Sequence, residues 1–121
     1  MRYLLLLGLV FSCFGGFLAQ AQEQRFFDDL PDIPVMEGMK RDPEGHFLFD
    51  TASGAIIQEG AFCSECDEKQ IISYYNEALG QMGWTRQKYG FWERNGEQLV
   101  VKPRKVQEGV YVLFALSPKT P

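Results

Sequence analysis

The sequence predicts a single α+β domain, in which an antiparallel sheet of five to six strands has one long helix packed on one face. Two observations support this class. Residues 67–84 have apolar side chains at helical spacing, whereas the segments around them are short and strand-like, with turn residues between them. A lone amphipathic helix is marginal in water, so this helix is expected to lie on a sheet.

The predicted helix has signals at both ends. Asp67 is suited to accept hydrogen bonds from the first free amides, and its charge suits the positive end of a helix. Gly83 follows the last apolar residue, where a left-handed residue commonly ends a helix. The apolar stripe that should face the sheet consists of Ile71, Tyr75, Ala78, Leu79 and Met82.

Strand-like segments lie on both sides of the helix. The first two are predicted to form a hairpin, because residues 51–54 between them have turn chemistry. Asn95-Gly96 predicts a second tight turn, since both residues tolerate positive φ, and this turn would pair Trp92 with Leu99. The predicted strands include residues 46–50, 55–62, 84–88, 91–94 and 109–117.

The predicted last strand is apolar on both faces, because Val110, Val112, Phe114 and Leu116 alternate with Tyr111, Leu113 and Ala115. Such a strand is typically buried on both sides, and one helix covers one side. The N-terminal segment or a partner protein is therefore expected to cover the other. Three aromatic residues are candidates to line a binding surface there, provided that they lie on the face away from the helix: Tyr89, Phe91 and Tyr111.

Residues 1–21 are predicted to be a signal peptide. Arg2 precedes an apolar run, and residues 19–21 have small side chains at the spacing that signal peptidase recognises. We expect cleavage after Ala21 and a periplasmic or secreted protein. Two alternatives would keep the protein on the membrane: retention of the signal peptide as an anchor, and lipidation at Cys13.

The predicted mature chain has two parts, an extended strap of residues 22–43 and an α+β domain of residues 44–121. Prolines at positions 31, 34 and 43 disfavour helix in the strap. Its apolar residues recur too often for a solvated linker, so the strap is expected to cross the domain. These residues are Phe26, Phe27, Leu30, Ile33, Val35, Met36 and Met39.

The mature chain is acidic. Loss of residues 1–21 removes Arg2 and no acid, which changes the net charge from −4 to −5. This charge disfavours nucleic acid and anionic lipid as partners. The basic cluster Lys102, Arg104 and Lys105 is interrupted by Pro103, and it is predicted to be a solvated strand edge.

The Cys63-Ser64-Glu65-Cys66 motif lies between a predicted strand and the helix N-terminus. Three interpretations remain open: a structural disulfide, two reduced or incidental cysteines, and a redox or metal site. An oxidising compartment favours the disulfide, and the helix dipole would lower the pKa of a thiol at this place. A zinc site needs about four ligands, and no third ligand is evident.

Other candidate groups have simpler structural explanations. Asp28, Asp29 and Asp32 are predicted to form a solvated acidic turn, since no glycine-containing calcium loop surrounds them. His46 is the single histidine and is predicted to be an exposed polar residue on a strand. We therefore predict no catalytic residue, no metal site and no cofactor.

Three motifs occur in order along the chain: Asp-Ile-Pro-Val-Met-Glu-Gly at residues 32–38, the helix residues Ile71, Tyr74, Tyr75 and Leu79, and Gly83-Trp84 at a strand start. Together they resemble the motifs of small exported bacterial envelope domains of unknown function. Glu37 replaces the proline usual in that group, and the cysteine pair is not part of its pattern. The resemblance covers most of residues 30–117 and implies an α+β domain of the bacterial envelope, with no catalytic residue carried over.

The expected function is that of a non-catalytic accessory or protein-interaction module of the cell envelope, with an envelope protein as its partner. The alternative is a thiol-redox or metal-handling protein that uses Cys63 and Cys66.

Overall fold

The computed structural model describes residues 25–119, apart from the side chain of Tyr89. The predicted signal peptide, its cleavage position after Ala21 and the lipidation candidate Cys13 lie outside the described residues.

The described chain forms a six-stranded antiparallel sheet and one α-helix, which confirms the α+β class. The strand order is β1-β2-β6-β5-β4-β3. The helix has 14 residues, so it is of ordinary length and not long. The elements are β1 (Lys40–Thr51), β2 (Gly54–Cys63), α1 (Glu68–Gln81), β3 (Thr85–Arg86), β4 (Phe91–Arg94), β5 (Glu97–Val106) and β6 (Gly109–Pro118).

Helix α1 begins and ends where the sequence predicts. The Asp67 carboxylate accepts a hydrogen bond from the Gln70 amide at 2.8 Å, which satisfies one of the free donors of the first turn. Gly83 has φ of +88°, a left-handed conformation that costs a glycine little. Ile71, Tyr75 and Leu79 are buried, in agreement with the predicted stripe.

Both predicted turns are present. Asn95 and Gly96 have φ of +50° and +79° between β4 and β5. Trp92 pairs with Leu99 as predicted. The turn between β1 and β2 lies between Thr51 and Gly54, which are themselves paired. These turns confirm that local chemistry sets the register of the two hairpins.

Two strands differ from prediction. The strand predicted over residues 84–88 has two residues, Thr85 and Arg86, and is followed by a short 3-10 turn, Lys88–Gly90. Strand β1 begins at Lys40, inside the segment predicted as strap, and its register with β2 shifts between Asp42 and Phe47. Pro43 lacks an amide donor, so this irregularity on an edge strand accommodates it.

The basic cluster lies on β5, which has neighbours on both sides in the sheet order. However, β4 pairs with residues 97–100 alone, so the second half of β5 extends beyond it. The Lys105 amide donates to a Glu68 carboxylate oxygen at 2.9 Å instead of to a strand. This local edge suits Pro103, which has no amide to donate.

The described part of the predicted strap that precedes β1, residues 25–39, contributes a large part of the core; we call it the N-terminal segment. Its buried residues are Phe27, Leu30, Ile33, Val35, Met36 and Met39. The centroid of the Phe27 ring lies 4.7 Å from that of the Phe114 ring of β6, and the centroid of the Tyr75 ring lies 5.1 Å from it. Phe114 therefore joins this segment, α1 and the sheet.

The aspartates of this segment lie in bend and turn residues and keep solvent exposure, as predicted, but each is also paired with a basic side chain. Asp28 pairs with Arg41 at 2.8 Å, Asp29 with His46, and Asp32 with Arg94. Each pair joins the N-terminal segment to a strand. Exposed pairs of this kind contribute little stability individually, but together they fix where the segment lies.

Candidate functional site

The strand register divides the sheet side chains into two faces, because directly paired residues of antiparallel strands point to the same side. We call the side of Phe114 the inner face and the opposite side the outer face. One outer-face row crosses five strands and consists of Phe47, Gln58, Ala115, Val100 and Phe91.

The two faces differ in burial. On the inner face, Ala61, Leu99, Val112 and Phe114 are all 0% exposed. On the outer face, every apolar side chain of the row just described retains exposure to solvent. The prediction that β6 is buried on both sides is therefore wrong for its outer face, where Leu113 and Ala115 are half-buried.

The most exposed apolar residues of the outer face lie on β1 and β2. The Phe47 and Phe49 rings stack with centroids 6.2 Å apart and planes 13° from parallel. They are 50% and 54% exposed, and Ile56, which pairs with Phe49, is 36% exposed. Contiguous exposed apolar side chains of this kind are typical of interaction surfaces.

Tyr111 lies on the outer face but has a structural role. Its hydroxyl donates to an Asp42 carboxylate oxygen at 2.8 Å. A Cβ at Gly60 would overlap this hydroxyl, so the tyrosine crosses β2 where a side chain is missing. Burial and the Asp42 hydrogen bond together raise the pKa of Tyr111 to about 12. Tyr111 therefore attaches β1 to the sheet beside its irregularity.

The other two predicted binding residues are less informative. Phe91 lies on the outer face at the end of the row and is half-buried. The side chain of Tyr89 is not described. Phe91 and Tyr111 are separated by two strands and four residues of register, on the order of 16 Å apart from strand geometry, so they do not form one cluster.

Phe47, Phe49 and Ile56 are the outer-face residues that the sequence prediction missed. The alternation of Phe47 and Phe49 was a usable signal, because residues two apart on a strand share a face. The face itself could not be assigned, since the register shift between Asp42 and Phe47 sets the phase of the strand.

Charges on the outer face are of both signs. Lys40 and Arg104 lie in one row with Phe62 and Tyr111. The next row contains Asp42 and Lys102 with Leu113. Glu93 lies at the other end, in a row with Gln98 and Ser117, and pairs with Lys119 at 3.1 Å.

Cys63 and Cys66 form a disulfide between the end of β2 and the start of α1. Cys63 is buried at 1% exposure, and Cys66 is half-buried. A cleft of about 520 Å³ adjoins the pair and is lined also by Met36, Gly38 and Tyr74. Both cysteines line this cleft, and Cys66 is the more exposed residue of the two.

A polar cleft of about 430 Å³ lies beside the β1 irregularity, where Asp29, His46 and Glu59 meet. The hydrogen bond to Asp29 raises the pKa of His46. Glu59 is 6% exposed, and this burial raises the pKa of its carboxyl group. A hydrogen bond with the Asp29 backbone lowers the same pKa, but by less than burial raises it. The charges in this cleft are largely satisfied by one another.

Two further observations bear on function. Among residues 25–119, no group of three or more histidine, cysteine, aspartate or glutamate side chains is arranged to hold a metal ion. Within the same part of the chain, no helix has the length and apolar character needed to cross a membrane.

Comparison with known proteins gives no match. Family models, curated proteins and solved structures each yield no similar protein for this chain. The resemblance to exported envelope domains therefore stays an expectation from the motifs.

Proposed function

We propose that this chain is a non-catalytic accessory or protein-interaction module of the bacterial cell envelope, and that its contact surface is the outer face of the sheet. One observation carries the proposal: a row of side chains that is apolar on four of its five strands keeps solvent exposure, with Phe47 half exposed at its end. Apolar surface of this extent is costly to leave in water and is stabilised by a partner.

The packing of α1 supports this choice of surface. We infer that the helix and the N-terminal segment occupy the same side of the sheet, because the rings of Phe27 and Tyr75 both contact Phe114. The Tyr75 hydroxyl also donates to the Pro34 carbonyl at 2.7 Å. Both coverings therefore lie on the inner face, and within residues 25–119 the outer face is left for a second molecule.

Export is supported by the pattern of residues 1–21 and by the resemblance to exported domains. Intact mass of the protein isolated from its host tests this point. A mass equal to that of a chain beginning at Gln22 supports cleavage after Ala21 and periplasmic or secreted localisation. A chain that begins at a lipid-modified Cys13 supports the tethered alternative, and an unprocessed chain supports a retained anchor.

The contact surface is tested by site-specific photo-cross-linking in cells. A photoreactive phenylalanine analogue at Phe47 is expected to give a discrete adduct with a protein. The matched control is the same analogue at Ile72, a 40% exposed residue of α1, which is expected to give none. Equal labelling from both positions, or no adduct from Phe47, would contradict the proposed surface.

The substitution Phe91→Asp tests the same face by partner capture. Tyr111→Asp is a poorer probe, because it also removes the hydrogen bond to Asp42 that attaches β1. Partner retention by Phe91→Asp together with Phe47→Asp would show that the outer face is not the contact.

The second candidate is a thiol-redox protein, favoured by the half-buried residue Cys66 beside this cleft. A substrate thiolate would attack Cys66 Sγ and release Cys63 as the thiolate; the second substrate thiolate would then resolve the mixed disulfide. The substrate dithiol is oxidised and the protein disulfide is reduced. Insulin reduction by dithiothreitol runs the same exchange in the opposite direction, and a rate no faster than with Cys63→Ser/Cys66→Ser would remove this candidate.

A further inference from the structure

We propose that the partner of the outer face is a second copy of this chain, which packs face to face to form a two-fold homodimer with a helix on each outside. This inference rests on the proposed function and names its partner. Two twisted sheets pack well on each other, with about 10 Å between them and strands within about 30° of alignment. A two-fold interface uses the same patch on both copies.

The size of the outer face fits a reversible dimer. Five strands about 4.8 Å apart, with four rows of side chains along them, cover on the order of 600 Å². Two such faces bury about 1,200 Å², the lower limit for a specific interface. We therefore expect association at micromolar concentrations and not an obligate dimer.

One pair of outer-face charges, Arg104 and Glu93, is complementary between two copies. A two-fold axis that runs across the strands reverses the order of the rows in the second copy. The row of Arg104 then faces the row of Glu93, and the row of Phe47 faces the row of Leu113, which also contains Asp42 and Lys102. Arg104 is exposed, and Glu93, now held by Lys119, gains a second cation.

The charge balance also favours a second copy over a strongly charged partner. The outer face combines Lys40, Lys102 and Arg104 with Asp42 and Glu93, whereas the whole chain is acidic at −4. A face of nearly balanced charge offers no single-sign field to a strongly acidic or basic protein. When two copies meet through this face, the acidic remainder of each surface stays outside the interface.

Analytical ultracentrifugation tests the dimer. The sample is the protein in the form that its host produces after processing. From about 1 to about 300 µM, the mass is expected to rise from one chain to two. Phe47→Asp is expected to weaken association about tenfold or more, and Ile72→Asp on α1 is expected to leave it unchanged. A chain that stays monomeric throughout overturns the proposal, as does undiminished association of the Phe47→Asp variant.

A charge exchange tests the two-fold arrangement. Arg104→Glu and Glu93→Arg are each expected to weaken association, because each places like charges opposite one another. The double variant Arg104→Glu/Glu93→Arg is expected to restore it. Association that the double variant does not recover contradicts the proposed pairing. Circular dichroism identifies any variant that has lost its fold, and Phe49→Lys then replaces Phe47→Asp.

The cross-link at Phe47 separates this inference from the proposed function. An adduct with twice the mass of one chain supports both. An adduct with a different protein supports the interaction module and overturns the homodimer. No adduct at Phe47 overturns the proposed contact surface.

Discussion

The Tyr75 hydroxyl donates to the carbonyl of Pro34, 41 residues earlier in the chain, at 2.7 Å. It also accepts a hydrogen bond from the Met36 amide at 3.3 Å. One buried side chain of α1 thus satisfies two backbone groups of a segment that has little secondary structure of its own. Buried backbone polar groups need such partners, so Tyr75 determines how this segment lies on the core.

Tyr75→Phe is expected to destabilise the fold by about 1–3 kcal/mol, because it leaves the Pro34 carbonyl and the Met36 amide buried without this partner. Urea unfolding measures the loss. Tyr111→Phe is the matched comparison: it removes one hydrogen bond at a half-buried site and is expected to cost less. If the two variants are equally stable, the Tyr75 contacts contribute less than the structure indicates.

Arg94 is a second junction between distant segments. Its guanidinium pairs with Asp32, donates to the Met82 carbonyl at 2.9 Å at the end of α1, and lies 4.4 Å from the centre of the Trp84 ring. Arg94→Lys keeps the charge but loses the planar fork and the stacking. We expect a loss of about 1–2 kcal/mol.

Urea unfolding of Arg94→Lys is compared with Arg86→Lys, a matched change at an exposed residue of β3. The Arg86 variant is expected to unfold like the parent protein. A neutral effect at Arg94 would show that charge alone, without the fork geometry, holds this junction.

Features set by local backbone chemistry were predictable from the sequence. Asp67, Gly83 and Asn95-Gly96 each act within a few residues, so their effects on the helix ends and on the hairpin register depend little on the rest of the molecule. The fold class followed from these signals. The length of β3 did not, because the 3-10 turn Lys88–Gly90 follows it and returns the chain to β4.

Features that depend on tertiary contacts were not predictable. The side of the sheet on which the N-terminal segment packs depends on Phe27 reaching Phe114, 87 residues away in the numbering. The pairing of Asp29 with His46 likewise requires the β1 irregularity. For the same reason the most exposed residues of the outer face, Phe47 and Phe49, were missed.

The raised pKa values of Glu59 and His46 predict that the free energy of unfolding decreases as pH rises. Burial raises the pKa of Glu59, and the hydrogen bond to Asp29 raises the pKa of His46. A group with a raised pKa in the folded state stabilises the fold fully below its unfolded pKa, and this contribution is lost as pH passes the folded value. The loss begins above about pH 4.3 for Glu59 and above about pH 6.5 for His46.

Glu59→Gln is therefore expected to remove the lower of these two pH windows, because glutamine keeps the shape of the side chain and does not ionise. Its stability relative to the parent should improve from about pH 4 to about pH 7. His46→Gln should alter the upper window alone. Urea unfolding across this range measures both. A Glu59→Gln variant with the pH dependence of the parent would show that burial does not raise the pKa of this carboxyl group.

The Cys63–Cys66 disulfide closes a loop of four residues, so its contribution through the unfolded chain is expected to be small. The chain-entropy relation gives about 2 kcal/mol for a loop of this size. Cys63→Ala/Cys66→Ala is expected to stay folded, with a loss of at most this amount, since alanine also suits the buried position of Cys63. Thermal unfolding with and without dithiothreitol measures the effect: the reductant should lower the midpoint of the parent protein and leave that of the double variant unchanged. A double variant that does not fold would assign the disulfide a role beyond loop closure.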